Sequence, residues 1–392
     1  MPSVTRDVLR KYLDSPGHSD TQQKLAQLRL EYSSMATTAN TFLAALQDQA
    51  VVRPTILPTQ SSGRWSYLDP PISNFPKACI NAGCPPYHHE WTDQCWSARD
   101  CFMPAPGTFW IEHDLDAVEH RIYCLILGWT ERLAAMAEGL DIHTPTACDL
   151  FQLPYPSDLR NPHSSQADAA WRRAVQWQGK DDRRRTMGKN FTFGSQFSYV
   201  YTARPDYKPR EPQRNYQGLV YNPGYVWQIP HIESYKVLDA TGQAVTPDFE
   251  GLAIRYMEST VAIQKRKATW QARIKAARES RNLYGAPRKF WLSDQHTAKE
   301  GFNQVVQGTV ASYINETAIM LQEAFPHSWL IHNQHDSLKW AFPYTIADHK
   351  AEEQATLAQC KEICQRTLSY QGRSIRLTAT FRIKRGSNHA TP

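Results

Sequence analysis

No stretch of this sequence stays apolar long enough to cross a membrane. The best run, residues 122–129, falls well short of the roughly 20 residues a helix needs. The opening residues Met1-Pro2-Ser3-Val4-Thr5-Arg6-Asp7 lack the apolar core of a secretory signal. Cysteine is sparse, with eight in 392 residues. Without a secretory signal, that argues for reduced thiols and against a disulfide framework. Internal repeats and low-complexity tracts are missing, which sets aside solenoids and disordered arrays. Charge is not strongly one-sided: Lys and Arg number 44 against 38 Asp and Glu, a net +6 with a pI near 8.8. That excess allows an anionic partner but does not require one, so local charge placement must carry the argument. We expect a chain with no membrane partner, working in the cytoplasm.

A hydrophobic content of 41% supports a substantial core. The length allows one large domain or two to three small ones. Apolar spacing over residues 21–47 predicts one or two helices, and the Pro- and Ser-rich residues 51–76 read as extended chain and turns. Residues 109–114 read as a strand and 117–129 as a buried helix. Helical patterns follow over 166–202, 248–280, 298–324 and 350–369. A hairpin is expected around Asp336 and a strand over 374–384. Residues 203–246, rich in proline and tyrosine, read as an irregular insertion. Strands separated by long helical blocks, with acids on the strands, predict an α+β catalytic base carrying a helical subdomain.

Asp114 and Asp336 each follow a strand-like run, and carboxylates there are well placed for hard cations. The plain alternative is a turn residue or a helix cap. Arg185, Lys189, Phe193 and Phe197 fall at spacing four, along one drifting stripe of a helix. Arginine can grip phosphate oxygens, lysine supplies a compact charge, and phenylalanine offers a flat face to a sugar or base. The plain alternative is a solvated basic face followed by an aromatic core stripe.

In chain order these residues fall into a longer series. It contains Ser62-Gly63-Arg64-Trp65-Ser66 with Pro70, Asn74 and Pro76, then Arg99-Asp100-Cys101-Phe102. Asp114-Leu115-Asp116-Ala117-Val118-Glu119-His120-Arg121 and Asp141-Ile142-His143-Thr144-Pro145-Thr146-Ala147 follow, then Arg185 to Gly194. Tyr284-Gly285 with Arg288, Asn303 with Gln307-Gly308-Thr309, His335-Asp336 and Gly386-Ser387-Asn388 complete it. The series resembles the motifs of family A DNA polymerases, the class of bacterial DNA polymerase I. The resemblance runs through nearly the whole chain in order.

It implies a right-hand polymerase fold, with an antiparallel-sheet palm, helical fingers and a reduced helical thumb. The thumb would occupy 1–60. The palm would occupy 61–150 and 281–392, and the fingers 151–280 with the insertion at 203–246. The implied activity is template-directed addition of deoxynucleoside triphosphates to a DNA primer. Two Mg²⁺ ions would sit on Asp114, Asp336 and the Leu115 carbonyl. Arg185, Lys189 and His143 would hold the triphosphate. Phe193 and Phe197 would face the nucleotide, and Glu119 would fill the space of a ribose 2′-hydroxyl. Arg64, Arg99, Asn303, Gln307 and His335 would contact the primer–template.

Some positions depart from the pattern. Ser337 replaces a glutamate and matches the H-D-S of single-subunit RNA polymerases, an alternative that Glu119 opposes. Phe197, Ser198 and Thr192 replace Tyr, Gly and Asn at the templating end of the helix. A catalytically inactive, nucleic-acid-binding polymerase fold is a further alternative. The chain leaves no expected room for a proofreading exonuclease, and a small thumb would suit an accessory subunit. Cys79, Cys84, His88, His89 and Cys95 lie in an expected insertion at 77–98. A Zn²⁺ site on Cys79, Cys84, His88 and Cys95 and ordinary thiols in a loop are both open there. Cys124, Cys148, Cys360 and Cys364 are expected inside the core.

Overall fold

The protein is seen in a computed structural model that describes residues 8–9, 12, 17–47, 51–57, 62–75, 102–160, 162–163, 166–177, 179, 182–197, 213–214, 220–221, 252, 255–256 and 258–386. The chain divides into two compact units. The first comprises Met1–Asp114, Glu316–Lys361 and Thr380–Pro392, and the second Leu115–Asn315 and Glu362–Ala379.

In chain order the helices are α1 (Asp20–Thr37), α2 (Val118–Leu127), α3 (Thr130–Ala137), α4 (His143–Phe151), α5 (Ala169–Ala174), α6 (Arg183–Phe197), α7 (Val261–Ala277), α8 (Gln295–Ala324) and α9 (His349–Cys364). The strands are β1 (Thr55–Leu57), β2 (Ser66–Leu68), β3 (Thr108–Leu115), β4 (Gln213–Arg214), β5 (Val220–Tyr221), β6 (Glu279–Arg281), β7 (Pro287–Lys289), β8 (Trp329–Gln334), β9 (Ser337–Pro343), β10 (Thr367–Tyr370), β11 (Arg373–Arg376) and β12 (Ala379–Arg385).

The first unit is built on a four-stranded sheet in the order β12-β3-β9-β8, with β9 antiparallel to both β3 and β8. Aromatic and β-branched residues make β3 a strand. Thr108 to Ile111 are all buried; beyond them Glu112 is half-buried, His113 buried, Asp114 exposed and Leu115 buried. Phe109 stacks on Phe342 at 5.4 Å, and Phe325 meets Phe342 edge-on at 5.1 Å, which fixes the core under the sheet. Residues 67–75 dock on β8. The Asn333 amide donates to the Tyr67 hydroxyl (2.8 Å), Gln334 Nε2 donates to the Ser73 carbonyl (2.9 Å), and Ser73 Oγ lies 3.0 Å from His332 Nε2.

The second unit is mostly helical. Ala147, Cys148, Leu150 and Phe151 of α4 pack with Met187 and Phe191 of α6, and Val175, Trp177 and Leu252 complete this cluster. Gly188 makes the approach possible. A Cβ there would meet the His143 carbonyl oxygen at 2.8 Å and the Ala147 nitrogen at 2.9 Å.

Several expectations need adjusting. The helix expected to 369 stops at Cys364, and residues 367–370 form β10. The strand expected over 374–384 is two: β11 pairs with β10, while β12 joins the main sheet. The helical pattern over 166–202 is interrupted between α5 and α6. Of the insertion at 203–246, only the β4–β5 pairing is described. Cys124, Cys148, Cys360 and Cys364 are all buried and free, as expected. The Cys79, Cys84, His88 and Cys95 cluster lies outside the described residues.

Candidate active site

The first unit brings the two predicted carboxylates onto neighbouring backbones. In the β3–β9 register Asp114 faces Ser337. Gln334 pairs with the same Ser337, so His335 and Asp336 form the two-residue loop of the β8–β9 hairpin. Asp336 is thus one residue from the partner of Asp114. Strand spacing places their Cα atoms roughly 5–7 Å apart. A bulge between Leu330 and His332 interrupts β8 just before this turn, a device that re-aims the residues that follow it.

His335 adopts φ 58°, a left-handed backbone that favours glycine and costs an L residue roughly 1–2 kcal/mol. That conformation shapes the turn carrying Asp336. Along the same face as Asp114, Glu112 pairs with Lys339 at 3.7 Å. Lys339 and Lys384 both lie over the Trp110 ring, at 5.4 and 5.9 Å.

The chemistry of this pair fits Mg²⁺. Its donors are hard carboxylate oxygens, one exposed and one half-buried. Among the described residues no group of three or more His, Cys, Asp or Glu gathers to hold a metal. Mg²⁺ keeps much of its water shell and binds through one or two carboxylates plus substrate phosphates. A closed structural site would need four protein ligands.

The second unit gathers a cationic site around Asp141, at the entrance to α4. Its carboxylate accepts hydrogen bonds from Arg185 Nε (2.9 Å) and Nη2 (3.2 Å), Thr144 Oγ1 (2.7 Å) and the His143 amide (2.9 Å). His163 Nε2 lies 3.0 Å from the same carboxylate. Burial alone would raise the Asp141 pKa. The hydrogen bonds from His163, Arg185 and Thr144, with the charge of Arg185, outweigh burial and hold it well below the usual carboxylate range. One buried carboxylate therefore caps α4 and fixes the first rung of the basic ladder on α6.

The other rungs follow. Lys189 is exposed, and its Nζ lies 5.7 Å from the centre of the Phe193 ring. Phe193 in turn faces the His143 ring at 6.0 Å. Burial lowers the His143 pKa to about 3, and the neighbouring Arg185 and Lys189 charges act the same way. His143 is therefore a neutral imidazole at neutral pH, and its Nδ1 has no hydrogen-bond partner among the described residues. It can serve as a hydrogen-bonding group but not as a charge.

Arg184, next to Arg185 in sequence, serves the core and not the ladder. It is only 4% exposed, paired with Asp182 at 2.6 Å, and lies over the Trp177 ring. Its remaining donors reach the Val175 and Gln176 carbonyls.

The remaining predicted residues fall as follows. Leu115 is buried at the end of β3, and Glu119 is half-buried in the first turn of α2. Phe197 closes α6; its side chain lies outside the described ones. Arg64 is half-buried ahead of β2. Asn303 and Gln307 are half-buried, one turn apart on α8. Arg99 lies outside the described residues. Sequence reasoning assigns roles to Arg185 and His143 but none to Asp141 or His163. Asp141, two residues before a helix and three before a threonine, carried a capping signal; His163 carried none.

No protein-family model matches the chain. Among curated proteins, DNA polymerase I of Chloroflexus aurantiacus is 27% identical over 154 residues, covering 36% of this chain and 15% of that protein. Among solved structures, the POL domain of Pol1 from M. smegmatis, in complex with DNA primer-template and dNTP, matches with a TM-score of 0.61. The match covers 98% of this chain at 15% identity. The chain has the DNA polymerase I polymerase-domain fold. That is the right-hand class, and its mixed helices and antiparallel sheets agree with the α+β expectation. The chain spans 15% of the curated relative's length and 56% of the solved chain's.

Proposed function

We propose that this chain is a template-directed DNA polymerase that adds deoxynucleoside triphosphates to a primer 3′-hydroxyl. The observation that carries the reading is the register that sets Asp114 beside the hairpin turn bearing Asp336. Sequence similarity to a DNA polymerase I and the shared fold support it. So does the solved relative's complex with primer-template and dNTP, the partners we assign here.

Asp114 and Asp336, with the Leu115 carbonyl, would hold two Mg²⁺ ions. When bound there, Mg²⁺ supplies charge that acidifies the attacking hydroxyl and offsets the leaving pyrophosphate. Lys189 would bind the triphosphate as a point charge, Arg185 as a second cation on the same helix, and His143 as a neutral hydrogen-bonding group. Phe193 would pack on the incoming nucleoside, with Phe197 further along the same helix. Glu119 would fill the space of a ribose 2′-hydroxyl. Arg64, Arg99, Asn303, Gln307 and His335 would contact the primer–template.

On this reading residues 1–60 act as thumb, 61–150 and 281–392 as palm, and 151–280 as fingers. We assign the 392 residues no proofreading chemistry. An accessory subunit or the 203–246 insertion would compensate for a small thumb. A cytoplasmic setting accords with the described residues, none of whose helices is long and apolar enough to cross a membrane.

Extension of a labelled DNA primer on a defined template, with Mg²⁺ and each nucleotide class supplied separately, tests the assignment. Extension with deoxynucleotides and little with ribonucleotides is expected. Preferential use of ribonucleotides would transfer the chain to the RNA polymerase reading that Ser337 raises. No extension with either class would leave a nucleic-acid-binding fold without synthesis.

A further inference from the structure

The β6–β7 hairpin and the segment after it have no role in the site above, yet they present the most open aromatic side chain described. Trp291 is 96% exposed, Leu292 66% and Tyr284, at the hairpin turn, 40%. The backbone that carries Trp291 is firmly held. The Phe290 amide donates to the Arg278 carbonyl (2.8 Å), Ser293 Oγ to the Lys275 carbonyl (2.8 Å) and Thr297 Oγ1 to the Leu292 carbonyl (2.8 Å). Phe290 is half-buried, with the Arg288 guanidinium 4.8 Å from the centre of its ring. The hairpin turn is fixed by Asn282, whose Oδ1 accepts from the Tyr284 and Ala286 amides and whose Nδ2 donates to the Gly308 carbonyl. Trp291 is therefore displayed from a braced arch.

Charge identifies the partner. Arg273, Lys275, Arg278, Arg281 and Lys289 are all exposed in this stretch. The sole acid between residues 273 and 291 is Glu279, and it is paired with Arg281 at 2.7 Å. A flat aromatic face among cations of one sign matches the recognition of unpaired bases on a phosphate backbone. Bases inside a duplex offer no free face to stack upon. A protein partner fits poorly, because one indole and one leucine fall far short of the roughly 800 Å² per side that a stable interface buries. We propose that this surface binds single-stranded nucleic acid, with Trp291 stacked on a base and Arg278 and Lys289 taking flanking phosphates. The inference does not depend on the chain being a polymerase.

The test is fluorescence anisotropy of a labelled oligo-dT with the full chain, without primer, nucleotide or metal. W291A should weaken binding on the order of tenfold, W291F should retain most of the affinity, and W291L should behave like alanine. An abasic strand of equal length should bind the parent and W291A alike. Replacing Arg278 and Lys289 together with alanine should flatten the log–log salt dependence by about 1.4, close to 0.7 for each phosphate no longer neutralised. Thermal melting of W291A should match the parent, since the side chain is exposed. Binding of oligo-dT by W291A within twofold of the parent would overturn the proposal. So would an equal loss on the abasic strand, or a gain of affinity in W291L over W291A that matches W291F.

Discussion

Asp141→Asn removes one charge and leaves the shape nearly unchanged, so it isolates what the carboxylate does. The carboxylate accepts from Arg185 twice, from Thr144 and from the His143 amide, and His163 stands 3.0 Å away. Side-chain exposure is 10% for Asp141 and 18% for Arg185. Breaking a buried ion pair on one side costs about 3–5 kcal/mol, because the other charge stays behind without its partner. Residual exposure of Arg185 puts the expected loss at the lower end, about 3 kcal/mol. Urea denaturation at pH 7 reads it as a lower midpoint with an unchanged slope. Combining D141N with Arg185→Gln should recover part of the loss, since the guanidinium that the carboxylate balanced is then gone. A double-mutant coupling of more than about 1 kcal/mol is expected. A D141N loss below about 1 kcal/mol, or strict additivity of the two changes, would refute the view that this pair fixes the base of α6.

Lys189→Ala should leave the denaturation midpoint unchanged, because the side chain is exposed. It should cut kcat/KM for the nucleotide by roughly 10–100-fold, the worth of a charged hydrogen bond; unchanged kinetics would remove Lys189 from the triphosphate site. Gly188→Ala forces a Cβ onto the His143 carbonyl and Ala147 nitrogen, both backbone, so α4 and α6 must separate. A loss of about 1–3 kcal/mol in chemical denaturation is expected. Acid should destabilise the second unit through its buried histidines. The folded pKa of His143 is lowered to about 3 and that of His120 well below its ordinary value, by burial in both cases. The unfolded chain therefore takes up protons first as pH falls below about 6.5. Stability is complete above that pH and declines toward pH 3, with His143 alone accounting for about 2 kcal/mol at pH 5. Equal denaturation midpoints at pH 7 and pH 5 would contradict this.

The local elements are legible in sequence wherever periodicity is strong. Thr108–Leu115 carries an aromatic and β-branched run that favours a strand, and Gln295–Ala324 is one long helix close to its expected bounds. What spacing could not reveal was partnership. Asp114 and Asp336 are far apart in sequence, and only the register through Ser337 makes them neighbours. Arg183, Arg184 and Arg185 look alike in sequence, yet Arg184 is buried against Asp182 while Arg185 reaches 44 residues back to Asp141. The end of α9 escapes sequence reading because the strand β10 follows after two residues, and no glycine or proline marks the boundary. His163 gave no signal, since a lone histidine near an irregular segment is indistinguishable from a surface residue until its partner is known.

On the proposed reading Asp114 on β3 and Asp336 in the adjoining β8–β9 turn hold the metal for nucleotidyl transfer. Single-turnover extension by Asp114→Asn and Asp336→Asn, each beside a binding measurement on the same primer–template, reads it most directly. Losing several kcal/mol of transition-state charge stabilisation should slow each variant by about a thousandfold or more while duplex affinity stays within about twofold of the parent. Extension by either variant at the parent rate, with Mg²⁺ as the added metal, would contradict the account.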